Sequence, residues 1–421
     1  MKVLIVGSGG REHAVAEALS RSPRVSKIHT APGNAGTEDL GENVPIAADA
    51  VESLARFAGE NRVELTFVGP EIPLSMGIAD LFRSRDLAVV GPSSKNAELE
   101  ASKSFTKRLS TAHSIPTAGY DVCDSAEAAY RVLDGSPFPV VVKADGLAAG
   151  KGVVIAETLE VARQAVHDFM EASTLGAAGA RVVIEEFMEG EEASWHFFVD
   201  GQDVQGMVVA QDHKRRFAGD TGPNTGGMGA YSADSLMSSG EREAVLDRIV
   251  RPTLRALGDY TGILYAGLMR TAGGPKLVEY NVRFGDPEAQ VILPRLGTDL
   301  AEVLLAMRDH RLGELDVRWL PVVSATVVLV AETYPGAVET GRAITGLAEA
   351  ATVPGVTVYH AGTRREAGRV VTAGGRILNV TSVGATLTEA LGKAYAAAKM
   401  IDFEGKDYRL DIGQKGLAKA R

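Results

Sequence analysis

The segment Lys276-Leu277-Val278-Glu279-Tyr280-Asn281-Val282-Arg283-Phe284-Gly285-Asp286-Pro287-Glu288 has the residue types and spacing to do chemistry. Side chains alternate along a strand, so Glu279, Asn281 and Arg283 share one face. A carboxylate and an amide oxygen two residues apart are hard oxygen donors. They suit Mg²⁺, which keeps several waters and takes phosphate oxygens from a nucleotide. Arg283 beside them can clamp a carboxylate or phosphate through two N–H groups. A strand with a polar solvent face would show the same alternation. It would not call for Gly273-Gly274 before it or the Gly-Asp-Pro turn after it.

A second group lies upstream. Residues 139–143 are a valine run ending in Lys143, followed by Gly146, Gly150, Lys151 and Gly152. The spacing approaches the G-x-x-x-x-G-K-[ST] phosphate loop, but Val153 replaces the hydroxyl residue and a strand at 153–156 replaces the helix. Glycines and lysines in a hairpin read instead as a lid over phosphates, with a solvated hairpin tip as the alternative. Acids then crowd positions 185–192, among them Glu185, Glu186 and Glu192 around Met188. Either this is an exposed acidic turn, or it frames a purine and its ribose. Residues 211–216 form a basic knot, with Asp212 and Lys214, suited to an anion. His213 within it reads as structural rather than as a ligand. The stretch 222–230, rich in Gly and Asn, reads as one loop whose ordering costs backbone entropy.

At the start, Gly7-x-Gly9-Gly10-x-Glu12 follows a strand. It misses the dinucleotide fingerprint, because Glu12 takes the third glycine position, where it would obstruct close helix–strand packing, and no acid ends the second strand. What remains is a turn of N–H groups at a helix N-terminus, suited to a phosphate, or a tight turn without a ligand.

The elements that must position these groups fall into three parts. Strands at 2–6, 27–30, 65–68 and 87–90 alternate with helices at 11–20, 50–60 and 74–83, which predicts a doubly wound parallel sheet. Its ligands belong beyond the carboxyl ends of the strands, where glycine turns sit. One helix at 97–111 carries Lys103 and Lys107 on one face. Residues 113–116 read as a linker, and the middle section has longer strands and hairpins. The last hundred residues are strand-rich, at 322–330, 356–360 and 376–380, with a capping box from Thr386 to Glu389. The expected fold class is α/β throughout. It has a substrate-binding domain at 1–100, a core at 101–315 with a lid subdomain near 117–190, and an α+β domain at 316–421.

Composition bounds the partners. With 421 residues, a net charge of −10 and one cysteine, Cys123, the chain argues against nucleic-acid binding, a disulfide framework or a cysteine-rich metal site. No apolar run approaches a membrane span, and the start does not read as a signal peptide.

Taken in order, Lys143, the glycine lid, Glu185-Glu186-Phe187-Met188 with a following acid, and the Glu279-x-Asn281 strand resemble the ATP-grasp superfamily. More closely, segments 7–14, 31–36, 68–71, 143–152, 211–215, 220–232, 265–268 and 281–288 are similar to the phosphoribosylamine–glycine ligase family. The resemblance implies ATP, Mg²⁺ or Mn²⁺, glycine and 5-phosphoribosylamine as partners, and a glycyl phosphate intermediate on the second step of purine synthesis. It implies an ATP-grasp core, cytoplasmic location, and a monomer or weak dimer. Another ATP-grasp carboxylate–amine ligase or a carboxylase is the alternative. By position, Glu279 and Asn281 would hold the metal. Lys103 and Lys143 would meet ATP phosphates under the lid of Gly146, Gly150 and Lys151. Glu185, Glu186 and Met188 would frame adenine, and Glu192 the ribose. Gly9, Gly10, Asn34, Glu71 and Arg283 would bind phosphoribosylamine. Lys143, Asp212, Lys214 and Arg283 would act on glycine and the transferred phosphate. Leu268 and Met269 offer no acid where many superfamily members supply a further metal ligand.

Overall fold

The computed structural model describes every residue except Ala149, Gln202, Ala420 and Arg421. Ala149 of the expected lid loop therefore lies outside the described residues.

Val3, Leu4, Ile5 and Val6 are all fully buried, the continuous apolar run of a strand covered on both faces. They form the centre of a five-stranded parallel sheet, ordered Glu42–Asn43, Lys27–Pro32, Lys2–Gly7, Leu65–Val68, Val89–Val90. The helix Gly10–Ser20 leaves the first strand as expected. The helix expected at 74–83 is two short ones, Glu71–Ser75 and Ile78–Ser84. Gly77 between them has φ +84°, a left-handed value that stops a helix.

The helix expected at 97–111 is also two, Ser94–Ala101 and Lys103–Ala112. The break is imposed from a distance. Asp145 accepts hydrogen bonds from the Ser104 N–H at 2.6 Å and from the hydroxyls of Ser102 and Ser104. Ser102 then caps the second helix by accepting from Phe105 N–H at 3.1 Å.

A four-stranded antiparallel sheet, ordered Tyr120–Cys123, Val182–Glu186, Val140–Ala144, Val153–Ala156, stands apart with its own core under the helices Ala126–Asp134 and Leu159–Val166. Among the described residues the largest sheet has ten strands, paired antiparallel. It runs from Gly274–Asn281 through Thr261–Thr271, Glu191–Asp200, Ala210–Asp212 and Gly229–Ser232. It then continues into Val323–Ala331, Arg376–Gly384 and Val356–His360. The C-terminal strands thus extend the same sheet that carries the central ones. The stretch 222–230 is not one loop. Thr221–Asn224 pairs with Arg215–Phe217, and Gly229–Ser232 is a sheet strand, leaving only 225–228 outside the strands. Near the C-terminus Thr386 caps Leu387–Met400, as expected. The Glu389 carboxylate reaches Ala385 N–H at 2.8 Å rather than Thr386 N–H. No helix among the described residues is long and apolar enough to cross a membrane.

Candidate active site

One cavity of about 980 Å³ lies where the parallel sheet, the lid sheet and the ten-stranded sheet meet. Its volume is that of a small-molecule site. Its floor is the strand Gly274–Asn281, and the register there is not regular. Gly267 pairs with Glu279 but Leu268 pairs with Leu277, so Val278 is an extra, bulged residue. Burial follows: Pro275 and Leu277 are buried, then Tyr280. The bulge resets the alternation, so that Glu279 and Asn281 line the cavity with Arg283 just past the strand.

Four cations surround Glu279. Burial alone would raise its pKa, but Lys214, Lys143, Lys103 and Arg283 hold it below the usual range. Lys214 Nζ lies 3.8 Å from Glu279 and 3.2 Å from Glu192. Burial pulls Lys214 down, yet Glu192 and Asp212 keep it well above the ordinary lysine value. Burial pushes Asp212 up to about 8 against the pull of Lys214. Lys103 donates to Gly146 O at 3.2 Å, and burial holds its pKa low, partly offset by Glu279.

Behind these, Glu185 bridges two lysines. Its oxygens lie 2.9 Å from Lys143 Nζ and 3.0 Å from Lys107 Nζ, with all three side chains almost fully buried. Lys107 also donates to Thr117 Oγ1 at 2.9 Å. Arg283 is aimed by acids: Glu100 at 2.6 Å and Glu71 at 3.4 Å. Burial pushes Glu100 up to about 7, against Arg283. His196, held neutral by burial with its pKa down to about 3, accepts Gly285 N–H at 3.0 Å and fixes the following turn.

No cluster of three or more His, Cys, Asp or Glu able to hold a metal occurs among the described residues. The donor set Glu279 and Asn281 fits a hard cation that completes its shell from water and phosphate, rather than one caged by protein.

Several expected residues line the cavity: Lys103, Lys143, Gly150, Glu185, Glu186, Met188, Glu192, Glu71, Asp212, Lys214, Glu279, Asn281 and Arg283. Gly146 and Lys151 are not in its wall, and Lys151 is exposed. Gly9, Gly10 and Asn34 are not in the wall either. Gly9 N–H donates to Glu12 at 2.5 Å, so the turn is closed by the chain's own carboxylate rather than left for a phosphate. Glu12 does not obstruct packing, because Gly7 and Gly69 make room: a Cβ at either would sit 2.6 Å or less from its side chain. The Asn34 amide is spent on backbone. It donates to Ser8 O at 2.9 Å and His360 O at 2.8 Å, and accepts from Gly36 and Thr37 N–H. His213 Nε2 accepts Gly413 N–H at 3.1 Å, and His213 also lines the cavity.

Three consecutive family descriptions match this chain. They are the N domain of phosphoribosylglycinamide synthetase at residues 1–100, its ATP-grasp (A) domain at 101–289 and its C domain at 324–415. The chain belongs to the phosphoribosylglycinamide synthetase family. A phosphoribosylamine–glycine ligase of Pseudomonas aeruginosa is 49 % identical over 428 residues, covering 100 % of this chain and 99 % of that protein. One of Halalkalibacterium halodurans is 47 % identical, covering 99 % and 98 %. The crystal structure of the Thermotoga maritima phosphoribosylamine–glycine ligase superposes with a TM-score of 0.84 at 33 % identity, covering 98 % and 100 %. The biotin carboxylase domain of a Hydrogenobacter thermophilus 2-oxoglutarate carboxylase, solved with MgADP and bicarbonate, reaches 0.76 at 16 % identity over 96 % and 91 %. That likeness is one of fold.

Within this synthetase-family site, sequence reasoning assigned no role to Lys107, Glu100, Glu288, Tyr334 or Arg376, all of which line the cavity. Lys107 had a signal in its i,i+4 spacing from Lys103. Tyr334 and Arg376 had none, because they arrive from the C-terminal part of the chain, one in a turn and one at the start of a strand.

Proposed function

We propose that this chain is an ATP-dependent, ADP-forming ligase that joins glycine to 5-phosphoribosylamine and gives glycinamide ribonucleotide and phosphate. The observation that supports it most is one cavity in which Lys103, Lys143, Lys214 and Arg283 ring Glu279 and Asn281 beside a glycine hairpin. Such a site has cations and hard oxygen donors, and nothing in the reaction needs a protein nucleophile. It positions and neutralises charge, as phosphoryl transfer requires.

A glycine carboxylate oxygen attacks the γ-phosphorus, the bond to the β-bridging oxygen breaks, and ADP leaves. The substrate amine then attacks the acyl carbon of glycyl phosphate, and phosphate leaves. Lys103 and Lys143 hold ATP phosphates; Lys143 is kept in line by Glu185. Glu186 and Met188 frame adenine and Glu192 meets the ribose. Asp212, Lys214 and Arg283 hold glycine and the phosphoryl group in flight. Glu71 and Arg283 face phosphoribosylamine; the turns of Gly9, Gly10 and Asn34 lie outside the wall they line. Glu279 and Asn281 would hold Mg²⁺ or Mn²⁺, which when bound neutralises phosphate oxygens. The division 1–100, 101–315 and 316–421, a cytoplasmic location, a monomer or weak dimer, and no nucleic-acid or membrane partner belong to the same proposal. The net charge of −10 supports the absence of nucleic acid.

Phosphate release tests the reading. It should require glycine and phosphoribosylamine together. Release driven by bicarbonate alone would replace this reading with a carboxylase.

A further inference from the structure

Two side chains that the C-terminal part of the chain brings to the cavity, Arg376 and Tyr334, grip the same short loop. Arg376, the first residue of its strand, donates from Nη1 to Gly226 O at 2.5 Å and to Asp286 O at 2.7 Å. Its Nη2 lies 3.3 Å from Asp286 Oδ2. The Tyr334 hydroxyl accepts Gly226 N–H at 2.9 Å. Loop and turn are pressed together here. A Cβ at Gly227, where φ is +110°, would sit 2.4 Å from Pro287 Cδ, and a Cβ at Gly375 would sit 2.4 Å from the Tyr334 ring. Only glycine allows these approaches.

The gripped loop joins three other parts. On one side it meets the lid, where a Cβ at Gly150 would lie 3.4 Å from Thr225 O, and Asn224 Nδ2 donates to Val153 O at 3.4 Å. On the other, Asp286 Oδ2 lies 3.1 Å from a Cβ built on Gly9, at the N-terminal turn. Between them runs the exit of the strand that carries Glu279 and Asn281. The grip therefore sits at the seam between the nucleotide end and the N-terminal wall.

We infer that Arg376 and Tyr334 are positioning residues for the amine-transfer step. They clamp residues 225–228 to the Asp286 turn, so that an acyl phosphate formed under the lid is shielded from water until the amine arrives. This rests on the ligase reading above. An acyl phosphate meets two nucleophiles, the substrate amine and water, and a loosened seam shifts the outcome toward water. ATP consumption then outruns product formation. A purely structural defect would lower both together.

The test measures phosphate released per glycinamide ribonucleotide formed, with KM for phosphoribosylamine and for ATP, in Arg376→Lys and Tyr334→Phe. Lysine keeps the charge but lacks the planar two-nitrogen fork that reaches Gly226 O, Asp286 O and Asp286 Oδ2 together. Phenylalanine removes a single acceptor and keeps the ring. Wild type should give a ratio near one. Both variants should raise the ratio and raise KM for phosphoribosylamine by about three- to tenfold, the scale of one lost hydrogen bond, with KM for ATP held within about twofold. A ratio near one with unchanged KM for phosphoribosylamine in both variants overturns the inference. So does an Arg376→Lys enzyme that matches wild type. A wild type that forms no product from glycine and phosphoribosylamine overturns the ligase reading instead.

Discussion

Lys107 gives a prediction whose size follows from its surroundings. Its side chain is only 3 % exposed. Burial lowers its pKa from 10.5 to about 8, with Glu185 opposing and Lys143 adding to the fall. Folding therefore makes this proton easier to lose. Between pH 8 and 10.5 the unfolded chain keeps it while the folded chain gives it up. The unfolded state then binds more protons, so stability rises with pH, at about 1.4 kcal/mol per unit for one group. From pH 7.5 to 9.5 the contribution is about 2 kcal/mol, since it begins only near pH 8. Lys107→Met removes the titrating group and should remove that rise. Equilibrium urea denaturation of both proteins at pH 7.5 and 9.5 measures it, and groups distant from Lys107 cancel in the comparison. The wild type should gain about 2 kcal/mol more than the variant over this interval. Equal gains would refute the account of Lys107 as a buried cation held by Glu185.

Glu279→Gln keeps the shape but removes the carboxylate at the centre of four cations. Mg²⁺-dependent phosphate release should fall by about a hundredfold or more, as expected for a lost interaction of several kcal/mol, while the chain still folds, as its circular dichroism spectrum shows. Asn34→Ala removes an amide that ties the turn at Ser8 to the backbone of His360. It should lower stability by about 1–3 kcal/mol, because buried backbone groups lose their partners. Chemical denaturation measures this, and an unchanged midpoint would refute the tie.

Much of the architecture was legible because it rests on local signals. The apolar runs at 2–6 and 65–68 and the glycine turns after them predict a parallel sheet, and one is present. Glu279 and Asn281 are correctly placed on one face by simple alternation. The bulge at Val278 that sets this face against the cavity was not legible, since it depends on how Gly267 and Leu268 pair across the hairpin. The break at Ser102 is likewise set by Asp145, some forty positions away in the chain. Glu12 looked like an obstacle because its room comes partly from Gly69, just past the strand Leu65–Val68. Glu185 was read with the purine pocket, whereas its carboxylate lies between Lys107 and Lys143, which the chain brings in from two separate elements.

The ten-stranded sheet has a consequence for anyone who would divide the chain. The strand Gly229–Ser232 is bonded on one side to Ala210–Asp212 and on the other to Val323–Ala331. A fragment cut before Val323 would present Gly229–Ser232 as a bare sheet margin, with its N–H and C=O groups open to pairing with another molecule. Such margins recruit neighbouring chains and lead to aggregation. The C-terminal strands thus act as a cover for the central ones, and the two portions are fitted to be made and kept together.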